Sequence, residues 1–196
     1  MAKRLFDIVF SFGWLVLFAP LMLVVALLVR LKLGSPVLFR QERPGLRGQP
    51  FRMVKFRTMV PDAEARLEEV RSLNRISGPA IQLDHDPRVT RSGNVLRKTS
   101  IDELPQLWNV LRGEMSLVGP RPALPDEAAL WSAELRDRLR VQPGITGMWQ
   151  VSGRSNTSFD EYSRLDLYYV DNWSLWLDIK IILRTAVLLL RDSSAY

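Results

Sequence analysis

The longest apolar stretch of the chain lies near its N-terminus. Ile8 to Val29 is a run of twenty-two residues without a charged side chain. As a straight helix this run would extend about 33 Å, which matches the hydrocarbon core of a bilayer. The sequence therefore predicts a membrane helix within residues 1–33, followed by a domain over residues 34–196.

Basic residues flank this helix at both ends. Lys3 and Arg4 precede it, and Arg30 and Lys32 follow it. Because lysine and arginine flanks stay in the cytoplasm, they favour a segment that enters and leaves the membrane on the same side. Pro20 would bend such a re-entrant helix, since proline removes a backbone hydrogen bond. A tilted span that tolerates its proline is an almost equal alternative, whereas the length of the run argues against a cleaved signal peptide.

The patterns that follow predict the elements of the domain. Apolar strands joined by a turn predict a hairpin or small sheet near residues 37–57. Leucines at helical spacing, together with Trp108, predict a short helix with a buried face that stops at Gly113. Pro143 to Gly147 has the composition of a loop, and residues 149–151 suit a short strand.

The segment from Trp173 to Leu190 predicts an amphipathic helix. It is largely apolar, but at 100° per residue Lys180, Arg184 and Arg191 fall on one side. Such a helix either lies at an anionic membrane surface or packs its apolar face into the core, at even odds. The fold class predicted from all these patterns is α+β and mostly helical, and on the first alternative its amphipathic helices would rest on the cytoplasmic leaflet.

Composition narrows the chemistry. The chain has 196 residues, a net charge of +6, no cysteine and one histidine, His85. Disulfides and thiolate metal sites are therefore excluded, and zinc or Ser-His-Asp chemistry is poorly supported. A basic chain with an apolar anchor favours an anionic membrane surface or phosphorylated substrates over nucleic acid.

Two adjacent acids, Asp102 and Glu103, stand among basic residues. These are Arg88, Arg91, Arg97, Lys98, Arg112 and Arg121. Phosphoryl transfer needs cations around the phosphate and an acidic ligand for a divalent metal, and a carboxylate can also be the nucleophile. The structural alternative is a capping box, because Ser100 is followed three residues later by Glu103. Judged locally, capping is the more frequent explanation.

Two further cations, and one of those just named, are candidates for a phosphate site. Lys55 and Arg57 share one face of a predicted strand, although such a pair is more often a solvated edge. Arg121 lies between Pro120 and Pro122, which stiffen the backbone and fix the direction of the guanidinium. An arginine held in this way suits a phosphate or a nucleotide.

Eight ordered blocks carry a family resemblance. They are Lys3 to Asp7, Lys55 to Met59, Asp86 to Arg88, Arg97 to Gln106, Asn109 to Leu111, Met115 to Pro122, Pro143 to Gly147 and Asp166 to Val170. In these blocks the chain resembles the monotopic phosphoglycosyl transferases, also called bacterial sugar transferases, in their minimal catalytic form. The resemblance reverses the odds for the acid pair in favour of an active site.

The resemblance implies transfer of a sugar-1-phosphate from a nucleoside diphosphate sugar, most often a UDP-sugar, to polyprenyl phosphate. Asp102 matches the nucleophile that forms a covalent phospho-sugar intermediate, and Glu103 matches the magnesium ligand. Arg97 matches a phosphate-binding arginine, Lys55 a basic active-site position and Arg121 a nucleotide contact. The other matching positions with a substrate-binding role are Arg57, Asp86, Arg88, Gln106 and Asp166.

The implied partners are the sugar nucleotide, undecaprenyl phosphate and membrane lipid, with no nucleic acid and with room for a homodimer. The implied location is the bacterial cytoplasmic membrane, with the catalytic domain on its cytoplasmic face, and the implied process is the start of surface glycan or exopolysaccharide synthesis. One departure is Ala19 before Pro20, where the family often has serine. The rival functions are a non-enzymatic anion-binding module at the membrane surface and a membrane-bound phosphohydrolase.

Overall fold

The computed structural model describes residues 1–66, 69–70, 83, 86–152 and 159–191. Its elements, in chain order, are α1 (Ala2–Leu33), β1 (Leu38–Pro44), β2 (Pro50–Phe56), α2 (Arg91–Lys98), α3 (Gln106–Arg112), β3 (Ser116–Val118), α4 (Pro125–Ala129), β4 (Gly144–Thr146), α5 (Met148–Ser152), α6 (Phe159–Asp171) and α7 (Leu175–Arg191). Short 3₁₀ segments cover Leu46–Gly48, Ile101–Glu103 and Leu135–Arg140. The fold is α+β and mostly helical, as the sequence predicts.

The predicted hairpin is confirmed. Strands β1 and β2 pair antiparallel, with Leu38 opposite Phe56 and Pro44 opposite Pro50. Alternate residues of β2 turn one face of the hairpin toward the core, where Phe51 and Met53 are buried. The same core contains residues from α3, β3, α6 and α7, so the hairpin and the helices share one hydrophobic cluster.

The prediction for residues 143–151 is wrong in both parts. Gly144–Thr146 is strand β4, which pairs parallel with β3, and Trp149 lies on helix α5. The two strands approach so closely that a Cβ on Gly144 would lie 2.1 Å from the backbone nitrogen of Gly119. Gly144 was interpreted as a loop residue, but a glycine is required there by the close approach of two backbones.

Helix α3 ends at Gly113 as predicted, but its buried face is narrower. Leu107 and Val110 are buried, whereas Trp108 is 55% exposed. Gly113 adopts the left-handed conformation, with φ 81°, that commonly follows the end of a helix. The prediction of a buried Trp108 is therefore wrong, and this ring belongs to the surface.

Helix α1 contacts the domain with one face, near both of its ends. Trp14 packs against the main core, and Val25 and Val29 pack against Phe56 of β2. Between these contacts, residues 16–21 are mostly exposed. The two ends of α1 are therefore fixed to the same domain, while its middle presents apolar side chains outward.

The N-terminal turns of α1 carry polar side chains that bind the domain. Lys3 Nζ donates to Asp178 Oδ2 on α7 at 2.6 Å, and Arg4 donates to the carbonyls of Val110 and Leu111 at 2.5 and 2.6 Å. Another contact is made by Asp7, whose Oδ1 accepts from the Leu117 amide and the Ser116 hydroxyl, both at 3.1 Å. These contacts fix the helix to the strand and helices that carry the rest of the core.

Among the described residues, α1 is the helix long and apolar enough to cross a membrane. The mean hydropathy of its most apolar window is 2.7, and 11% of that window is buried. Pro20 lies inside the helix, which continues across it, and the bend predicted there stays a prediction. Its length suits a span and a re-entrant segment alike, so the re-entrant topology and the division at residue 33 stay predictions.

Helix α7 has two different faces. Asp178 and Ile181 are buried against the domain, whereas Trp176, Leu183 and Val187 form an exposed apolar stripe. Lys180 and Arg184 are exposed beside this stripe, and Lys180 Nζ lies 5.5 Å from the Trp176 ring centroid. The amphipathic helix is confirmed, but its basic residues border the apolar stripe instead of occupying the opposite side.

We predict that Gly119→Ala destabilises the protein, because its Cβ would lie 2.3 Å from the Gln142 carbonyl oxygen and 2.9 Å from the Gly144 nitrogen. The expected cost is at least about 1–3 kcal/mol. Thermal unfolding followed by tryptophan fluorescence in detergent measures it. Gly13→Ala in α1 is the matched control, since a Cβ there meets nothing within 4 Å. Equal unfolding temperatures for the two variants would contradict the assigned pairing of β3 and β4.

Candidate active site

Asp102 and Glu103 lie on the 3₁₀ segment Ile101–Glu103, which we call the dyad turn. Ser100, just before it, adopts a left-handed conformation with φ 54°, and its side chain makes no capping hydrogen bond. The Glu103 amide donates instead to the Ser100 backbone carbonyl at 3.2 Å. The capping-box explanation is therefore wrong. Asp102 is 5% exposed, so the turn places a carboxylate in the protein interior.

Helix α2 is positioned on the backbone of Thr58, just after β2. Thr90 caps the helix by accepting from the Gly93 amide at 3.0 Å, and its own amide and hydroxyl donate to the Thr58 carbonyl at 3.0 Å. Gly93 allows this approach, because a Cβ there would lie 2.0 Å from the Thr58 oxygen. One turn later, Arg97 donates from Nε to Thr58 Oγ1 at 3.0 Å. Helix α2 thus fixes the direction of Arg97.

The two acids of the dyad turn resist ionisation. Burial raises the pKa of Asp102, although the charges of Lys55 and Arg97 act to lower it. Burial and the neighbouring Asp102 carboxylate raise the pKa of Glu103 to about 7, against the lowering effects of Lys55, Arg121 and Arg97. A buried carboxylate beside a second, half-buried one favours a bound cation or a shared proton.

Lys55 on β2 is the cation beside both acids. It stands opposite Phe39 in the hairpin, with Nζ 5.6 Å from the ring centroid. Burial and the charge of Arg97 lower the pKa of Lys55 to about 8, while the two dyad carboxylates raise it. At neutral pH Lys55 therefore remains a cation next to the acid pair.

Arg121 follows β3 and reaches the site from another side. Its side chain is exposed, whereas Pro120 and Pro122 on either side are buried. The guanidinium carbon lies 5.8 Å from the Trp149 ring centroid, and its charge acts on Glu103. The structure therefore brings together Lys55, Arg97 and Arg121 around the dyad from three different elements.

Other residues predicted for the site have partners elsewhere. Arg57 donates to the carbonyls of Ser35, at 2.9 Å, and Leu33, so it holds the C-terminal end of α1. Arg88 and Asp86 form a two-pronged ion pair, with Nη2 to Oδ2 at 2.6 Å and Nε to Oδ1 at 2.9 Å. The charge of Arg97 also helps to lower the pKa of Asp86, so the pair lies near the site. The two side chains bind each other there.

Gln106 and Asp166 are both buried. Gln106 is 3% exposed in the first turn of α3, directly after the dyad turn. Asp166 is 1% exposed on α6 and pairs with Arg138 at 2.6 Å between Oδ2 and Nη2. Burial raises the pKa of Asp166 to about 6, against the lowering effect of Arg138. A substrate-contacting role for Asp166 does not suit this enclosed ion pair.

Sequence analysis missed several residues that organise the site. Thr58 lies in the matching block Lys55 to Met59 but was assigned no role, because its role depends on a tertiary approach to α2. Arg43 and Arg138 are buried at 7% and 2% exposure, although arginine in a basic chain indicates the surface. Asp178 did carry a signal, since it is an isolated acid within the apolar segment that forms α7.

The two carboxylates of the dyad would suit part of the coordination shell of a magnesium ion, whose other ligands come from outside the protein. Among the described residues no group of three histidine, aspartate or glutamate side chains could hold a metal, and His85 lies outside them. Magnesium is commonly bound by one or two carboxylates together with water and substrate phosphates. The raised pKa values of the two acids also indicate that a cation would relieve their repulsion.

Comparison with known proteins gives matches over almost the whole chain. The family model described as "Bacterial sugar transferase" matches residues 1–192. The galactosyl transferase CpsE of Streptococcus agalactiae is 44% identical over 100% of the chain, which spans 43% of that protein. The exopolysaccharide production protein ExoY of Rhizobium meliloti is 45% identical over 98% of the chain and 88% of its own length. The UDP-glucose:undecaprenyl-phosphate glucose-1-phosphate transferase of Caulobacter vibrioides is 44% identical, with 100% and 72% covered.

We predict that Glu103→Gln gains stability relative to the wild type as pH rises. The folded protein holds the Glu103 proton to about pH 7, whereas the ordinary pKa is 4.5. Ionisation between these values therefore lowers the free energy of unfolding of the wild type, and glutamine avoids this loss. In buffer with a chelator, the difference in unfolding temperature should grow between pH 4.5 and 7 and then level off. Glu42→Gln, which removes an exposed carboxylate from β1, is the control; the same rise in both variants would contradict the prediction.

Proposed function

The chain belongs to the bacterial sugar transferase family, and from this membership we propose that it is a phosphoglycosyl transferase. It transfers a sugar-1-phosphate from a UDP-sugar to undecaprenyl phosphate and releases the nucleoside monophosphate. The name of the Caulobacter relative supports this choice of donor and acceptor. The product would be the first lipid-linked sugar of a surface glycan or exopolysaccharide.

The observation that carries the proposal is the buried Asp102 beside Glu103, with Lys55, Arg97 and Arg121 around them. An Asp102 carboxylate oxygen attacks the phosphorus that bears the sugar. A bond forms from Oδ to phosphorus, the bond from phosphorus to the bridging oxygen breaks, and the nucleoside monophosphate leaves with that electron pair. An anion attacks an anionic diphosphate here, so the surrounding cations are needed to offset repulsion.

Each cation has a distinct task in this reaction. Arg97, fixed by Thr58, holds the oxygens of the phosphoryl group that is transferred. Lys55 lies beside both acids and neutralises charge as the phosphorus is attacked. Arg121 is exposed near Trp149 and receives the nucleotide part of the donor.

Glu103 would hold Mg²⁺, with Asp102 close enough to share the ion. When bound, the metal neutralises phosphate oxygens and stabilises the leaving group. Glu103 is assigned this role because Asp102 must approach phosphorus as the nucleophile. The remaining ligands would be water and donor phosphates.

In the second half of the reaction, the phosphate of the polyprenyl carrier attacks the phosphorus of the aspartyl phospho-sugar. The bond between phosphorus and Asp102 breaks, and the carboxylate is restored. This step needs the site to lie near lipid headgroups. The exposed apolar middle of α1 and the apolar stripe of α7, bordered by Lys180 and Arg184, support placement at a membrane surface.

The contacts of α1 also support a re-entrant topology with the domain on the cytoplasmic face. Lys3 and Arg4 bind the domain at one end, and the Leu33 carbonyl is held by Arg57 at the other. A helix whose two ends contact one domain is readily accommodated if both ends lie on the same side of the membrane. A homodimer stays a prediction.

We predict that Asp102→Asn abolishes transfer, lowering turnover roughly 10⁴-fold or more, because an amide is a poor nucleophile of nearly the same shape. Wild-type protein in detergent is incubated with UDP-sugar labelled in the sugar, without lipid acceptor, and is then quenched. Peptide mass spectrometry should locate a phospho-sugar on Asp102, and a chelator should prevent its formation.

The matched control is Asp62→Asn, which removes an exposed carboxylate outside the site. An adduct or full turnover in Asp102→Asn would overturn the assigned nucleophile. With lipid acceptor present, release of free sugar phosphate in place of a lipid product would identify a phosphohydrolase. Donor binding by the wild type without adduct or product would identify an anion-binding module.

We predict that both ends of α1 face the cytoplasm. The chain has no cysteine, so Ala2→Cys and Arg40→Cys each introduce a single thiol on either side of the helix. A membrane-impermeant maleimide should label both variants only after cell lysis, because both ends are fixed to the same domain. Glu134→Cys, at an exposed position of the domain, is the labelling standard. Labelling of Ala2→Cys in intact cells would demonstrate a true span.

A further inference from the structure

The backbone around Arg121 is held by buried arginine side chains. Pro120 and Pro122 have no N–H to donate, so this segment cannot continue the strand pairing of β3. The Pro120 carbonyl, two residues after the end of β3, accepts from the Gly144 amide at 2.9 Å. The next two carbonyls accept from guanidinium groups: Arg121 from Arg138 at 3.0 Å, and Pro122 from Arg43 at 3.0 Å.

The Arg138 side chain is itself held by an ion pair, two aromatic rings and a tyrosine hydroxyl. It is 1% exposed, and Nη2 pairs with Asp166 Oδ2 at 2.6 Å. Its guanidinium carbon lies 4.6 Å from the ring centroids of both Trp131 and Tyr162, and Nη2 also donates to the Tyr162 hydroxyl. Such an arginine has one orientation available, so the carbonyl that it binds has one position.

Arg43 holds the other side of the segment. It lies at 7% exposure on β1, and its Nη2 donates to Gln41 Oε1 at 2.6 Å. Burial, and the nearby positive charge of Arg121, lower the pKa of Arg43 to about 10. Three guanidinium groups therefore converge on one short segment, which is an unfavourable concentration of positive charge.

Stability alone gives a weak reason for this arrangement. Replacing a buried ion pair by apolar residues of similar volume often leaves a protein as stable or makes it more stable. The pair of Arg138 and Asp166 also leaves Nε and Nη1 of Arg138 without a hydrogen-bond partner among the described residues. A function beyond packing accounts better for retaining these charges next to Arg121.

We propose that Arg138, oriented by Asp166, and Arg43 are positioning residues that fix Arg121 for the nucleotide of the sugar donor. This inference rests on the proposed function. It gives Asp166 a new role, since the carboxylate acts through Arg138 and Arg121 and does not contact substrate. Loss of Arg138 should weaken donor recognition and leave the Asp102 chemistry and acceptor recognition intact.

The experiment is a double-variant cycle on donor KM, with Arg138→Met, Arg121→Ala and the combination. Methionine fills much of the arginine volume without its donors. Arg138→Met alone should raise the donor KM on the order of 10- to 100-fold, with little change in kcat or in KM for undecaprenyl phosphate. In the Arg121→Ala background it should have no further effect, because two residues that act through one contact are not additive.

Arg140→Met is the matched control. Arg140 belongs to the same 3₁₀ segment, but its side chain is 59% exposed and pairs with Asp171 at the surface, at 3.2 Å. Its donor KM should equal that of the wild type. If Arg138→Met does not fold, as judged by thermal unfolding, Asp166→Asn replaces it in the cycle, because the amide keeps the shape and removes the charge that orients Arg138.

Equal effects of Arg138→Met with and without the Arg121 side chain would overturn the proposal, as would an unchanged donor KM. These outcomes leave the proposed function standing, since the wild type would still form the adduct on Asp102. Failure of the wild type to form adduct or product would instead contradict the function. In that case, calorimetric binding of the nucleoside monophosphate replaces KM in the same cycle, and additive losses in affinity would overturn the positioning role.

Discussion

The structure depends on the burial of one acid directly beside another. Asp102 is almost inaccessible to water and Glu103 adjoins it, so burial raises the pKa values of both carboxylates. Three cations offset the cost of burying these acids. Lys55 comes from the hairpin, Arg97 from α2 and Arg121 from the segment after β3. No single element supplies both the acids and the cations, so the chemistry exists only when the hairpin, the helices and the parallel strand pair are assembled. The supporting contacts of Thr58, Gly93 and Gly119 are therefore part of the site, although they lie behind it.

Features that depend on local sequence patterns could be predicted, whereas features that depend on tertiary contacts could not. The apolar run of α1, the hairpin and the end of α3 follow from local periodicity and turn chemistry, and they were found. The parallel pair of β3 and β4 was missed because the sequence around Gly144 has the composition of a loop. The reason for a glycine there is the close approach of the Gly119 backbone, which the sequence does not reveal. The acid dyad was locally indistinguishable from a helix cap, and the family resemblance decided in its favour. Arg43, Arg138 and Asp166 make buried tertiary contacts that no local pattern reveals. Composition therefore places the two arginines on the surface, and the family resemblance places Asp166 in the substrate site.

The apolar helix is integrated into the domain. Helix α1 contributes Trp14 to the main core and Val25 and Val29 to a second cluster with Phe56. Its polar residues bind α3, β3 and α7, and Arg57 returns from β2 to hold its C-terminal end. In the proposed placement of α1 in a membrane, these contacts would set the height and tilt of the site relative to the lipid, because the helix and the domain are packed together. The same contacts make removal of residues 1–33 an unsuitable route to a soluble catalytic fragment.

The ion pair between Lys3 and Asp178 also has a consequence for biosynthesis. Its two partners are 175 residues apart in the chain, yet Lys3 Nζ also donates to the Val118 carbonyl. The single Tyr169 hydroxyl lies 2.9 Å from that carbonyl and 2.7 Å from Asp178 Oδ1, so it can donate to either acceptor. During translation, α1 leaves the ribosome long before α7 has been made. Until Asp178 of α7 has been synthesised, Lys3 therefore has no ion-pair partner there. Contacts of such long sequence separation form slowly. We therefore expect α1 to reach the membrane before its contacts with Asp178 can form, so that the domain is fixed to the helix only after α7 has been made.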